Sequence, residues 1–125
     1  MLEGDEKRHF ARKQAAFSIQ YCVKGPLSAM NEFGASERSA IASNLSEGGL
    51  QLFSDLELTP GTMLSLKFRL LSDVGNSPEE RSRKLDLQGE VLYSSHAVAK
   101  ATFVAGVQFF HLSDNDRAYI TDATS

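Results

Sequence analysis

The chain has 125 residues, of which 42% are hydrophobic, and this length and composition are typical of one globular domain with a single core. Its formal net charge of −3 at neutral pH excludes the overall positive field that would attract DNA, RNA or an anionic membrane. No apolar run approaches the ~20 residues that cross a bilayer, so membrane insertion is not expected.

Cysteine usage indicates the compartment. Cys22 is the single cysteine, so no internal disulfide can form, and a reducing cytoplasm is the expected setting. The charged start of the sequence has no apolar run behind it and does not resemble a signal peptide. We therefore expect a cytoplasmic protein.

Alternation of apolar and polar residues predicts that most of the chain is β-structure. The clearest strands cover residues 17–23, 64–70, 85–93 and 103–109, and two shorter runs lie around Ile41 and residues 50–52. In the 85–93 segment, the alternation places Tyr93 on the same apolar face as Leu85, Leu87 and Val91. Gly89 falls in that phase and indicates a bulge or a close approach of the backbone.

The connections between these strands favour antiparallel pairing. Residues 59–61, Thr-Pro-Gly, predict a turn before the strand that opens at Met63, and residues 72–84 read as a long exposed hairpin loop. A helix is predicted only near the C terminus, where Ser113 can cap and Asp116 follows three residues later. The pattern is typical of an all-β domain, a closed or partly closed barrel of about six strands with a short C-terminal helix.

Two clusters are unusual for a simple scaffold. The segment 7–13, Lys-Arg-His-Phe-Ala-Arg-Lys, concentrates four cations in a net acidic chain, which solvent or an anionic partner must offset. The segment 44–49, Asn-Leu-Ser-Glu-Gly-Gly, combines short polar side chains with glycines that allow positive φ and close backbone approach. Taken singly, the first is commonly a solvated charge run and the second an ordinary turn.

Together these clusters resemble the signature of the PilZ domain family. The resemblance rests on Arg8-x-x-x-Arg12 before the first strand and on Asn44-x-Ser46-x-x-Gly49 between the second and third strands, with residues 106–109, Gly-Val-Gln-Phe, as a weaker match. It implies a six-stranded antiparallel β-barrel with a C-terminal helix, covering residues 14–125. Residues 1–13 would then be a flexible basic segment that carries the arginine motif.

The resemblance also implies a ligand, the bacterial second messenger cyclic di-GMP, and no cofactor. Arg8 and Arg12 would bind guanine or phosphate through bidentate guanidinium contacts. Asn44 and Ser46 would face the edge of a guanine or a phosphate, and Gly49 would leave room for the ligand, with Gly48 as a possible further contact.

Two positions bear on affinity and stoichiometry. At position 44 the family often has aspartate, so asparagine implies a somewhat lower affinity and a less sharp preference for guanine. Lys7, immediately before the arginine motif, is a possible additional contact, and it leaves open whether one ligand or a stacked pair is bound. An unidentified effector protein would receive the signal through a conformational change.

Two other functions stay open at this point. One is a barrel of the same family that no longer binds ligand and acts as a protein–protein adaptor; the other, with less support, is a flavin-binding split-barrel enzyme. We find no catalytic constellation and expect no enzyme. His9, His96 and His111 are scattered, without carboxylate or cysteine at ligand spacing, so no metal site is expected.

Overall fold

The computed structural model describes residues 16–71, 82–96 and 102–124, and these form a closed antiparallel barrel. The strands are β1 (Phe17–Gly25), β2 (Arg38–Ser43), β3 (Gly49–Ser54), β4 (Met63–Leu71), β5 (Ser82–His96) and β6 (Phe103–Phe110). Two helices accompany them, α1 (Leu27–Phe33) and α2 (Asp114–Thr124). Around the barrel the strands follow the order β1-β2-β3-β6-β5-β4. The predicted six-stranded antiparallel barrel with a C-terminal helix is confirmed.

The core fills the inside of the barrel. Alternate residues of each strand point inward, which is the physical reason that the period-two pattern was visible in the sequence. Leu45 and Leu58, from the connections that flank β3, and Ile120 of α2 are buried with them. The buried strand residues include Ile19, Tyr21, Val23, Leu50, Leu52, Leu64, Leu66, Phe68, Leu85, Leu87, Val91, Ala105, Val107 and Phe109.

The expectation that only the C terminus is helical is wrong, because α1 lies between β1 and β2. This helix has only seven residues, and it follows Pro26, a residue that suits a helix start. Its Ala29 is buried, while Met30 and Phe33 pack partly buried against the core. It ends at Gly34, whose φ of 84° and N–H bond to the Met30 carbonyl (2.8 Å) close the last turn. Tertiary packing stabilises this helix, since so short a segment is marginal alone.

The predicted orientation of Tyr93 is also wrong. The pairing of β5 with β6 shifts register between Val91, which lies opposite Val107, and Tyr93, which lies opposite Gly106. Leu92 is the extra residue of this β-bulge, and the bulge reverses the phase of the strand. Tyr93 therefore lies on the outside of the barrel, where it is 48% exposed.

The other local predictions hold. Gly89 is a site of close approach, since a Cβ there would lie 2.6 Å from Cγ1 of Val107. The turn before β4 forms with Gly61 at a φ of 93°. Helix α2 is capped by Ser113, whose hydroxyl accepts the Asp116 N–H at 3.1 Å. No helix in the described ranges is both long and apolar enough to cross a membrane.

Candidate ligand-binding site

The connection between β2 and β3, residues 44–48, is fixed by its own hydrogen bonds. Leu45 is buried, so the side chains on either side of it, Asn44 and Ser46, face solvent. The Ser46 hydroxyl accepts the Gly48 N–H at 3.2 Å, and the Ser46 N–H donates to the Gly49 carbonyl at 2.9 Å. The Gly48 carbonyl in turn accepts the Phe109 N–H at 2.9 Å, which joins this loop to β6. The polar side chains are thus presented from a held backbone.

Positive φ and close approach fall on different residues of this loop. The residue with positive φ is Asn44, at 53°, and not either of the glycines to which the sequence analysis assigned that freedom. Asparagine tolerates this left-handed region better than most residues. Gly49 serves close approach instead, because a Cβ at this position would overlap the Val107 carbonyl oxygen of β6. Its glycine is therefore explained by strand packing.

A row of polar side chains crosses the outer face of the barrel from this loop to β5. The Asn44 amide nitrogen Nδ2 donates to Oε1 of Gln51 at 2.6 Å, and Nε2 of Gln51 donates to the Tyr93 hydroxyl at 3.2 Å. Gln51 and Tyr93 both lie opposite Gly106, one on each side of it. The row thus connects three strands and orients both the Asn44 amide and the Tyr93 ring.

The Tyr93 ring lies over the Gly106 backbone. A Cβ at Gly106 would overlap the ring, with Cδ2 of Tyr93 only 2.7 Å away. One side of the ring is thus covered by β6, while the side chain remains about half exposed. An aromatic ring held in this way offers a flat surface on which a second ring system can stack.

These residues border one open groove of about 450 Å³, a volume within the usual range of small-molecule sites. Its walls come from segments 44–51, 92–93 and 106–108. The eleven described residues that line it carry no charged side chain. The groove therefore supplies hydrogen-bonding groups and an aromatic face, and a bound anion would need cations from elsewhere.

The loop is also connected to the C-terminal helix. Glu47 accepts a hydrogen bond from a terminal guanidinium nitrogen of Arg117 at 3.4 Å, and both side chains are about half exposed. Helix α2 is further joined to β5, because Arg83 forms an ion pair with Asp116 at 2.9 Å. A change at the loop can therefore reach α2 through a single side-chain contact.

The structure brings Asn44, Ser46, Gly48 and Gly49 together at this groove. Arg8, Arg12 and Lys7 lie outside the described residues, so their predicted contacts remain predictions. Sequence analysis missed Gln51, Tyr93 and Gly106 as members of the site. Only the glycine in the Gly-Val-Gln-Phe run pointed towards this surface, since the others meet it through strand register.

A second groove of the same volume lies across β1, β2 and β4, but it is a weaker candidate. Its one charged side chain, Lys67, is already paired with Glu37 at 3.8 Å. It contains none of the predicted site residues and no aromatic side chain. Within residues 16–71, 82–96 and 102–124, no group of three or more potential metal ligands converges.

Comparisons with known proteins agree with this geometry. A comparison with curated proteins finds no significant match. Among solved structures, the chain is similar to the Bacillus subtilis inhibitor of motility MotI/DgrA, with a TM-score of 0.66 and 16% sequence identity. That match covers 89% of this chain and 46% of the other, so this chain spans less than half the length of that protein. The family model of the PilZ domain matches residues 6–124. The chain therefore belongs to the PilZ domain family.

Proposed function

We propose that this protein is a receptor for cyclic di-GMP and that the ligand binds in the groove between the 44–49 loop and Tyr93. PilZ domains are a family of cyclic di-GMP receptors. The observation that carries the proposal for this chain is the convergence of Asn44, Ser46 and Tyr93 on one open groove. The ligand has two purine bases and two phosphates, so it needs stacking surfaces, edge contacts and cations.

The groove supplies the first two requirements. The exposed face of Tyr93 stacks on one purine, a contact worth about 1–3 kcal/mol per base. The Asn44 amide oxygen accepts from the N–H groups of guanine, since Nδ2 already donates to Gln51. The Ser46 hydroxyl accepts from the Gly48 N–H and keeps its own hydrogen to donate to a phosphate or base.

The third requirement assigns a role to the basic segment. Because no charged side chain lines the groove among the described residues, the phosphates need cations from another part of the chain. Arg8 and Arg12 would supply them by folding over the ligand, each able to form bidentate contacts or to stack on a purine. Lys7 would add a further positive charge. Fixing this segment costs about 1–2 kcal/mol per residue, so several strong contacts are needed.

The signal would pass to an effector protein through helix α2. Glu47 lies inside the ligand-binding loop and pairs with Arg117 of α2. An anionic ligand beside Glu47 would compete for Arg117 and weaken this contact, which would change how α2 is held. The domain then acts as a receptor that alters a partner-facing surface, and not as an enzyme.

Calorimetric titration with cyclic di-GMP tests the proposal. We expect saturable binding by the wild-type protein and a loss with Arg12→Ala at least as large as that with Ser46→Ala. A contact to a charged group is worth about 1.5–3 kcal/mol, against about 1 kcal/mol for a neutral hydroxyl. Lys67→Ala, in the other groove, is the matched control and should bind like the wild type. A folded wild-type protein that binds no cyclic di-GMP would reject the receptor function and favour the adaptor.

A further inference from the structure

The hydrogen-bonding capacity of Asn44 decides which bases its edge of the groove can bind. Its carboxamide has one acceptor oxygen and two N–H hydrogens. One of those hydrogens is donated to Oε1 of Gln51 at 2.6 Å. The oxygen Oδ1 and the second N–H remain for a ligand, so Asn44 presents one acceptor beside one donor.

An acceptor beside a donor matches the edges of both purines. Adenine places its N6 amino group beside the ring acceptors N7 and N1, and asparagine pairs with the N6 and N7 pair in a bidentate way. Guanine places the N1–H donor beside the O6 acceptor, which the same two amide atoms can also satisfy. A carboxylate has acceptors only, so it fits the N1–H and N2–H donors of guanine but meets a lone pair at N1 or N7 of adenine.

We infer that the groove accepts adenine as well as guanine, so that its ligands are cyclic purine dinucleotides in general and include cyclic di-AMP. The inference rests on the proposed function, because it concerns the same groove. The rest of the groove does not oppose it, since stacking on Tyr93 is tolerant of base identity. Phosphate contacts by arginine are common to both nucleotides.

Gln51 is the residue that keeps this arrangement in place. It accepts from Asn44 and donates to Tyr93 at 3.2 Å, so the amide orientation and the ring position depend on one side chain. Asn44 itself adopts a φ of 53°, a conformation that aspartate also tolerates. The Asn44→Asp variant can therefore change the hydrogen-bonding pattern without forcing the backbone to move.

The test compares the dissociation constants of cyclic di-GMP and cyclic di-AMP for three proteins. For the wild type we expect the two constants to lie within about tenfold of each other. Asn44→Asp should raise the ratio of the cyclic di-AMP constant to the cyclic di-GMP constant by about tenfold or more, because the bidentate pairing with adenine is lost. Ser46→Ala is the matched control and should weaken both nucleotides while leaving the ratio unchanged.

The outcomes separate this inference from the function on which it rests. Binding of cyclic di-GMP with the same strong rejection of cyclic di-AMP in wild type and Asn44→Asp would overturn the inference and leave the receptor function intact. A folded wild-type protein that binds neither nucleotide would overturn both. The wild-type ratio is measured without any substitution, so the test does not depend on how the variants fold.

Discussion

The ring of Tyr93 lies across the backbone of Gly106, although these residues belong to different strands and no side chain separates them. The β-bulge at Leu92 turns Tyr93 outward, and the missing side chain at Gly106 gives its ring a flat seat. Gln51, on the other side of Gly106, then reaches the Tyr93 hydroxyl. One glycine thus allows three strands to form a single binding surface.

Replacing this glycine tests the stacking surface. Gly106→Ala should lower the affinity for cyclic di-GMP by about tenfold or more, because the new Cβ displaces the ring and removes a stacking contact. Tyr93→Ala should give a similar loss, and the double variant should be little worse than either single variant. Fully additive losses in the titrations, or wild-type affinity for a folded Gly106→Ala protein, would show that the ring does not contact the ligand.

Gly48 and Gly49 are neighbours that should respond differently to alanine. A Cβ at Gly49 would overlap the Val107 carbonyl oxygen, a backbone atom that cannot rotate away, so Gly49→Ala should lower the free energy of unfolding by about 1–3 kcal/mol. At Gly48 the nearest atom to an added Cβ is the Ser46 hydroxyl oxygen at 3.8 Å, an ordinary contact. Gly48→Ala should stay within about 0.5 kcal/mol of wild type in urea unfolding. Equal losses for the two variants would contradict this explanation of the Gly-Gly pair.

Tyr21 should make the protein sensitive to alkaline pH. Its side chain is 1% exposed inside the barrel, and burial raises the pKa of Tyr21 above 10.0, an effect that the neighbouring Ser54 and Arg38 oppose only in part. Above about pH 10 the tyrosine of the unfolded chain ionises while the folded one stays neutral, so stability falls as pH rises. Below that pH both states are protonated and this residue causes no change.

Tyr21→Phe should therefore reduce the loss of unfolding free energy between about pH 8 and about pH 11. Among the described residues the Tyr21 hydroxyl has no hydrogen-bond partner, so the variant should keep roughly wild-type stability near pH 7. Some alkaline loss should persist, because burial also raises the pKa of Tyr119. Identical alkaline losses in the two proteins would show that Tyr21 is not the cause.

The barrel could be predicted from the sequence because one face of each strand is buried, which produces a period of two. Helix α1 could not, since seven residues carry too weak a periodic signal and packing against the barrel stabilises them. The orientation of Tyr93 was predicted wrongly because a single extra residue reverses the phase of β5. Local sequence carries no sign of that insertion.

The candidate site divides in the same way. The 44–49 loop was visible because its residues are adjacent in the sequence. The contact of Gln51 with Tyr93 joins residues 42 positions apart and exists only through the register of β3, β6 and β5. The ligand-binding roles of Arg8, Arg12, Asn44, Ser46 and Gly49 remain predictions.

The location of the ligand can be measured most directly by following assigned backbone amide resonances in NMR while cyclic di-GMP is added. We expect the largest chemical-shift changes at Ser46, Gly49, Tyr93 and Gln108, around the groove on β3, β5 and β6. Ser65 and Lys67, on β4 at the far side of the barrel order, should change little. Changes concentrated instead on the groove across β1, β2 and β4 would contradict the site proposed for this protein.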